Sequence, residues 1–147
     1  MAVVDSDEDR PVVFIDDSKA TNPPAVIAGL RLTRSSYPQV PIVWIGGGQA
    51  DIAPRDSMLA EVLATASGCV LLGESAGQLR EALAPHLPCV VADCMIDAVR
   101  SAAAMTGGSG VVLLGPGYKS FDMYRSYAHR GDEFVAAVRT LRGESDA

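Results

Sequence analysis

The sequence lacks several features that would place it in particular protein classes. It has no apolar run that approaches the length of a membrane-spanning helix, and its N-terminus does not show the charged and then apolar pattern of a secretion signal. Basic residues are few, since 12 Lys and Arg stand against 18 Asp and Glu and give a net charge of −6. Nucleic acids and anionic membranes are bound through basic surfaces, so neither is expected as a partner. We therefore expect a cytoplasmic protein.

Cysteine and known nucleotide-binding motifs are also scarce. Cys69, Cys89 and Cys94 form no Cys-x-x-Cys pair and have no histidine at ligand spacing, so reduced thiols and no metal site are predicted. No G-x-x-x-x-G-K-[ST] phosphate loop occurs. The glycine run at 46–48 fails the G-x-G-x-x-G pattern, because Asp51 stands where a glycine is required. This run is predicted to be a flexible turn that lines a ligand crevice.

Short apolar runs alternate with amphipathic segments along the chain. With 147 residues, of which 48% are hydrophobic and 20% charged, a single globular domain over 1–147 is predicted. Most predicted strands are continuously apolar, which favours an α/β, Rossmann-like fold with a mostly parallel sheet and helices on both faces. The predicted strands are 1–4, 12–15, 42–45, 69–72, 88–92 and 111–114, with a polar hairpin turn at 5–10. The predicted helices are 25–36, 53–66, 75–83, 93–105 and 123–141.

A dense group of polar side chains follows the strand at 12–15. Residues 16–23 read Asp-Asp-Ser-Lys-Ala-Thr-Asn-Pro, which puts two carboxylates at the strand end and a lysine shortly after them. Thr21 or Asn22 is a candidate N-cap for the next helix, and Pro23 and Pro24 suit its first turn. Ligands of open α/β sheets bind at the carboxyl ends of the strands. A ligand site is therefore predicted here.

Two blocks of the sequence resemble the C-terminal domain of Mur ligases, in particular the members that add D-glutamate. The first is the run at 16–23, and the second reads Gly-Pro-Gly-Tyr-Lys-Ser-Phe-Asp at 115–122 and Arg-Gly-Asp-Glu-Phe at 130–134. The blocks lie near opposite ends of the chain and in the family's order. The resemblance implies the Mur ligase C-terminal fold and a substrate-binding role in an ATP-dependent, peptide-bond-forming ligase of peptidoglycan synthesis.

The resemblance also implies roles for residues of the first block. Asp17 faces the ribose of ATP, Lys19 faces the transferring phosphoryl or acyl-phosphate group, and Thr21 lies near the incoming amino acid. A cation at Lys19 is catalytic in this reading, because it stabilises the negative charge that develops during phosphoryl transfer. ATP and Mg²⁺ are the implied cofactors, bound mainly by other domains of the family.

In the second block, the resemblance implies a cradle for the carboxylate of the amino-acid substrate. A serine hydroxyl and backbone N–H groups at a helix start suit a carboxylate, and a neighbouring lysine adds positive charge. The ligand is expected to be a small amino acid or a nucleotide. The implied substrate-binding residues are Lys119, Ser120, Phe121 and Tyr127.

The sequence departs from the D-glutamate ligases at Gly115, where the family usually has Ser, and in two larger respects. Those ligases carry a lysine after the glycine turn, whereas this chain has Gln49, Ala50 and Asp51, and an acid there would repel a glutamate carboxylate. The UDP-binding and central ATPase domains of the family are also absent from 1–147. We therefore expect activity only with an ATPase domain, supplied by a partner protein or by the rest of a longer chain. A noncatalytic binding or regulatory module with the same fold is the alternative.

A third possibility is an esterase. Residues 73–77, Gly-Glu-Ser-Ala-Gly, match the G-x-S-x-G nucleophile motif, and Asp93 and His129 follow in the order of a catalytic triad. However, Ser75 and Gln78 also form a capping box, which gives the serine a structural role as the N-cap of a helix. The esterase is therefore the weaker hypothesis.

Overall fold

The computed structural model describes the backbone of residues 1–7 and 10–143, and the side chains of residues 1–4 and 11–143. The strands are β1 (Ala2–Asp7), β2 (Arg10–Asp16), β3 (Ile42–Gly46), β4 (Gly68–Leu71), β5 (Cys89–Val91) and β6 (Gly110–Leu114). The helices are α1 (Pro23–Ser36), α2 (Asp56–Thr65), α3 (Ala76–Leu83), α4 (Met95–Met105) and α5 (Tyr127–Leu141). No helix in this described part of the chain is long and apolar enough to cross a membrane.

The strands form one sheet in the order β1-β2-β6-β3-β4-β5. β1 pairs antiparallel with β2, and the other four neighbouring pairs are parallel. The predicted antiparallel edge is therefore confirmed. The predicted turn at 5–10 was too long, because the pairing of Asp7 with Arg10 extends the hairpin on both strands. Glu8 and Asp9 lie outside the described residues.

The apolar side chains of the parallel strands point alternately to two cores, one on each face of the sheet. Phe14, Val43 and Val112 pack on one face against α4 and α5. Trp44 and Leu113 pack on the opposite face against α1, α2 and α3. Strands that are buried on both faces must be apolar at every position, which explains their continuous hydrophobic runs. The predicted α/β fold with helices on both faces is confirmed.

Local hydrogen bonds decide where two of the helices begin. Asn22 is the N-cap of α1, since its Oδ1 accepts from the N–H of Ala25 at 3.1 Å, and Pro23 and Pro24 follow it as predicted. α5 begins at Tyr127 and not at the predicted Met123, because Ser126 Oγ accepts from the N–H of His129 at 3.0 Å. The cap therefore falls four residues later than the apolar pattern indicated.

The apolar pattern also misplaced one helix face and one helix start. Leu32 is one of the apolar positions from which the helix at 25–36 was predicted, yet it is exposed, whereas Thr33 is buried and its hydroxyl donates to the carbonyl of Gly29 at 2.7 Å. α2 begins at Asp56 and not at Ala53, whose N–H donates to Asp51 Oδ1 at 3.1 Å in a tight turn. In both places a polar hydrogen bond outweighed the apolar spacing.

Candidate functional site

The carboxyl ends of β2, β3, β4 and β6 bring four loops to one edge of the sheet, because these strands are parallel. The loops are residues 17–22, 47–55, 72–75 and 115–126. A backbone hydrogen bond joins the first loop to the last, since Gly117 N–H donates to Ala20 O at 2.7 Å, and Asp17 N–H donates to Leu114 O at the end of β6 at 2.8 Å. The two polar blocks of the sequence therefore meet in the fold.

The glycine turn after β3 is held by hydrogen bonds to the last loop. Gly47 N–H donates to Pro116 O at 2.9 Å, and Gln49 N–H donates to Lys119 O at 2.8 Å. Gly47 has φ +111°, and a Cβ there would collide with the carbonyl oxygen of Leu72. Glycine is required at this position because both its backbone conformation and the space beside it exclude a side chain.

Ser75 lies at the predicted N-cap position of α3, but it does not cap the helix. Its side chain makes no capping bond and its Oγ accepts from the N–H of Gly48 at 3.0 Å, while its own N–H donates to Gly48 O at 3.1 Å. The capping-box prediction was wrong, since the buried hydroxyl is used between loops and Gln78 is exposed. Ser75 thus fastens the third loop to the glycine turn.

The residues predicted to bind ligands differ in their exposure. The side chains of Lys19 and Lys119 are exposed, and those of Phe121 and Tyr127 are 64% and 44% exposed. Ser120 is buried, and its carbonyl accepts from the N–H groups of Met123 and Tyr124, which folds the last loop into a turn. The joined loops therefore carry two exposed cations and the exposed ring of Phe121, and the exposed ring of Tyr127 follows at the start of α5.

Asp17 lies against α1. A Cβ on Gly29 would lie 2.6 Å from its Oδ2, so the close approach depends on that glycine. The amino group of Met1 lies 3.8 Å from its Oδ1. Burial raises the pKa of Asp17 and the neighbouring Asp16 raises it further, whereas the Met1 amino group lowers it. The carboxylate is thus partly desolvated at the base of the first loop.

Arg130, on the first turn of α5, joins the two blocks through its side chain. It is 2% exposed, and its Nη2 donates to the carbonyls of Tyr118 at 2.9 Å and Ser18 at 3.4 Å. Burial lowers the pKa of Arg130 to about 10, although the nearby Asp122 opposes this shift. The guanidinium therefore remains charged at neutral pH and acts as a buried clamp between the first and last loops.

Arg130 was not among the predicted site residues, although the glycine that follows it is a signal in the sequence. Gly131 lies inside α5, where glycine costs about 1 kcal/mol relative to alanine. A Cβ at Gly131 would lie 2.6 Å from Ser18 Oγ and 2.9 Å from Asp16 Oδ2. A glycine beside an arginine within a helix thus marks the place where another loop packs closely against it.

Arg55 is a second buried cation at the site that the sequence did not reveal. It is 8% exposed, its guanidinium lies 3.7 Å from the ring centre of Tyr118, and its Nη2 donates to Gly117 O at 2.7 Å. It also forms an ion pair with both carboxylate oxygens of Asp51. The charge of Asp51, which we expected to repel a substrate carboxylate, is therefore compensated by Arg55.

The ion pair with Arg55 predicts a pH-dependent contribution of Asp51 to stability. The hydrogen bond from Arg55 lowers the pKa of Asp51 below its usual 3.8, so the ionised acid is favoured in the folded state. Its stabilisation is present above pH 3.8 and is lost as the pH falls through the lower, folded pKa. Because the Asp51 side chain is 41% exposed, we expect less than about 1 kcal/mol.

Urea unfolding at pH 7 and at pH 3 checks this prediction. Asp51→Asn should be less stable than the wild type at pH 7, and the difference should shrink at pH 3. Asp97→Asn is the control, because its ion pair with Arg100 is longer, at 3.5 Å, and more exposed. Equal pH dependence in the two variants would contradict the assignment.

The candidate triad of the esterase is not assembled. Ser75 Oγ is bonded to Gly48, whereas His129 Nδ1 accepts from the N–H of Arg125 at 3.1 Å and its Nε2 lies 3.5 Å from Glu133. Asp93 is exposed and lies two residues before α4. These three side chains therefore have separate partners or surroundings, and the geometry gives the esterase hypothesis no support.

Comparison with known proteins identifies the family. Residues 1–118 match the model of the Mur ligase, glutamate ligase domain. This chain belongs to the Mur ligase C-terminal domain family. It is 42% identical over 146 residues to the UDP-N-acetylmuramoylalanine–D-glutamate ligase of Frankia casuarinae. The alignment covers 97% of this chain and 29% of that protein. The ligase of the same name from Streptomyces coelicolor is 41% identical over 138 residues, covering 88% of the chain and 28% of that protein. The chain thus spans less than a third of the length of these curated relatives.

Solved structures show the same fold. The folylpolyglutamate synthase of Mycobacterium tuberculosis, complexed with ADP and AMPPCP, aligns with a TM-score of 0.62 at 18% identity, over 98% of this Mur ligase domain and 32% of that chain. A domain from a putative UDP-N-acetylmuramate:L-alanyl-gamma-D-glutamyl-medo-diaminopimelate ligase of Haemophilus ducreyi aligns with a TM-score of 0.55 at 14% identity, over 88% of this chain and 93% of that one. The fold predicted from the sequence resemblance is confirmed.

Proposed function

We propose that this chain is the substrate-binding C-terminal domain of an ATP-dependent ligase that adds an amino acid during peptidoglycan synthesis. The observation that carries the proposal is the 42% identity with the Frankia casuarinae D-glutamate ligase over 97% of the chain. The site supports it, because the first block and residues 115–122 of the second lie on loops joined by hydrogen bonds at the strand ends, and Arg130 of the second block bonds to both loops. A cytoplasmic location accompanies the proposal, since ATP is available there.

The exposed side chains of the joined loops suit anionic ligands. Lys19 offers an ammonium group to the phosphates, where a cation stabilises developing charge, and Asp17 lies two residues before it as the proposed partner of the ribose. ATP bound there supplies the phosphoryl group that activates a substrate carboxylate for attack by an amine. Thr21, which is partly buried, is the residue that we propose to contact the incoming amino acid.

The last loop is assigned to the amino acid. Lys119 supplies a positive charge at its surface, and Phe121 and Tyr127 offer exposed rings that can cover a bound molecule. Arg55 compensates Asp51 beside this loop, so a substrate with a second carboxylate is not repelled there. D-Glutamate is therefore the first amino acid to test.

The proposed domain depends on other parts of a ligase for metal and acceptor. Among the described residues, no three His, Cys, Asp or Glu side chains are grouped closely enough to hold a metal ion. Mg²⁺ usually binds through one or two carboxylates together with substrate phosphates. We therefore assign Mg²⁺ to the nucleotide and to the remaining domains, whether these lie on the same or on a separate chain.

A domain-exchange experiment tests the proposal. The chain replaces the corresponding C-terminal part of the Frankia casuarinae ligase, and phosphate release is measured with ATP, UDP-N-acetylmuramoylalanine and D-glutamate. We expect the chimera to be active and Lys19→Ala to lower kcat/KM on the order of 100-fold, since the lysine stabilises charge in the transition state.

The matched control is Arg80→Ala, which removes an exposed cation on α3 that belongs to none of the four loops. It should leave kcat/KM unchanged. A chimera that folds but releases no phosphate with D-glutamate or with other amino acids would reject the proposal and favour a noncatalytic module. Equal losses in Lys19→Ala and Arg80→Ala would reject the role of Lys19.

A further inference from the structure

Two cysteines face each other on neighbouring strands. Cys69 on β4 and Cys89 on β5 are register partners in a parallel pair, and their Sγ atoms lie 2.8 Å apart. Side chains of register partners project from the same face of the sheet, so the strand pairing itself holds these thiols together. Both are free thiols, and the proposed ligase function uses neither of them.

The surroundings give the two thiols different roles. Cys69 is fully buried in the core beneath α2 and α3, and this burial raises the pKa of its thiol. Cys89 is partly exposed on β5, which is the edge strand of the sheet and is three residues long. A dissolved oxidant therefore reaches Cys89 first, and the buried Cys69 thiol lies next to it.

We propose that Cys69 and Cys89 are a redox modification site, at which a peroxide converts the two thiols into a reversible disulfide. The Cys89 thiol loses its proton to solvent, its sulfur attacks one oxygen of hydrogen peroxide and the O–O bond breaks, and the departing hydroxide takes a proton from solvent, so that Cys89 sulfenic acid and water are formed. The sulfur of Cys69 then attacks the Cys89 sulfur, the S–O bond breaks, and a second water leaves. Two thiols are oxidised and one peroxide is reduced to two waters, and a dithiol reductant reverses the reaction by exchange.

The backbone already has the spacing that a disulfide requires. Adjacent strands lie about 4.8 Å apart, which is within the range of about 4.4–6.8 Å between the Cα atoms of disulfide-bonded cysteines. A structural Zn²⁺ site takes four ligands, and among the described residues no third His, Cys, Asp or Glu side chain is grouped with this pair.

The bridge would enclose a part of the chain that reaches the candidate site. The segment between the two cysteines contains α3 and the loop in which Ser75 bonds to Gly48. In the same loop, the N–H of Glu74 donates to Asp122 Oδ2 at 3.0 Å. Oxidation thus restrains one wall of the site and fixes the short edge strand to its neighbour. In a reducing compartment the bridge forms only while the oxidant is present.

Mass spectrometry of the peroxide-treated chain tests the proposal. After treatment and blocking of free thiols with N-ethylmaleimide, the wild type should lose the mass of two hydrogens and accept one maleimide, at Cys94. Trypsin should release residues 56–80 joined to residues 81–100, because Arg55, Arg80 and Arg100 bound these peptides. The melting temperature should rise by several degrees, since a bridge over a loop of this length restricts the unfolded chain.

Cysteine variants identify which residue is bonded to Cys69, because peptide 81–100 contains both Cys89 and Cys94. Cys94→Ser should still form the bridge, and Cys89→Ser should not. A bridge from Cys94 to either other cysteine would overturn the proposal, as would stable sulfinic acid on Cys89 with Cys69 still reactive toward maleimide in the unfolded protein. If Cys89→Ser does not fold, the wild type and Cys94→Ser decide between these outcomes.

Discussion

Replacing Arg130 with methionine should lower the free energy of unfolding by about 2–3 kcal/mol and loosen the junction between the first and last loops. Methionine has a similar length but no donor, so the carbonyl of Tyr118 loses its 2.9 Å bond while it remains buried. A hydrogen bond from a charged group contributes about 1.5–3 kcal/mol, and an unsatisfied buried acceptor costs a comparable amount. Urea unfolding measures the loss, and hydrogen exchange of the bonded amides of Gly117 and Gln49 measures the loosening.

The cost of burying the charge of Arg130 opposes the stabilisation that its hydrogen bonds provide. Burying a guanidinium is costly in itself, and two of its nitrogens, Nε and Nη1, have no hydrogen-bond partner within the described residues. If desolvation outweighs the bonds, Arg130→Met will be as stable as the wild type or more stable, and the clamp assignment will be wrong. Arg130→Lys, which keeps the charge with fewer donors, should lie between them. The exposed Arg125→Met is the control and should change stability by less than about 0.5 kcal/mol.

Replacing Trp44 with alanine should destabilise the domain by about 3–5 kcal/mol, the usual cost of removing a fully buried large aromatic side chain. Trp44 has no exposed surface, its ring covers Gly46, and its Nε1 donates to Gly115 O at 2.7 Å. The ring therefore supports the glycine turn and the last loop at once. Far-UV circular dichroism is the measurement of choice, because this is the single tryptophan of the chain and its fluorescence disappears with it.

Two further variants separate the packing of Trp44 from its hydrogen bond. Trp44→Phe keeps most of the apolar contact but leaves the carbonyl of Gly115 without its donor, so we expect a loss of about 1–2 kcal/mol. The exposed Leu32→Ala should cost less than about 1 kcal/mol. If Trp44→Phe and Trp44→Ala are equally unstable, the hydrogen bond and not the buried area dominates at this position.

The sequence predicted the features that depend on neighbouring residues. The continuous apolar run at 12–15 requires a strand buried on both faces, and Asn22 with Pro23 and Pro24 marks a helix start within three residues. These signals predict the strand ends and the order of the elements. They therefore also predict the edge of the sheet at which the first and last loops meet. The family resemblance added the residues that we propose as ligand contacts.

The features that were missed depend on contacts between distant parts of the chain. Ser75 reads as a cap locally, yet its partner Gly48 lies 27 residues away. Arg130 contacts Ser18 across 112 residues, and Arg55 contacts Gly117 across 62. Such pairs cannot be inferred from the charge and spacing of residues along the sequence. Asp51, whose charge is compensated by Arg55, was therefore interpreted as an unpaired negative charge.

The position of β6 has a consequence for synthesis on the ribosome. β2 and β3 do not pair with each other, because each pairs with β6 between them, which follows β2 by roughly a hundred residues. While the chain is emerging, both strands therefore have open edges until residues 110–114 leave the exit tunnel. A nascent chain that stops before Gly110 can complete the β1–β2 hairpin and the β3–β4–β5 ladder only as separate pieces. Release of β6 should then join them in one cooperative step, which a force-sensitive arrest sequence placed at successive lengths would register as a single late peak.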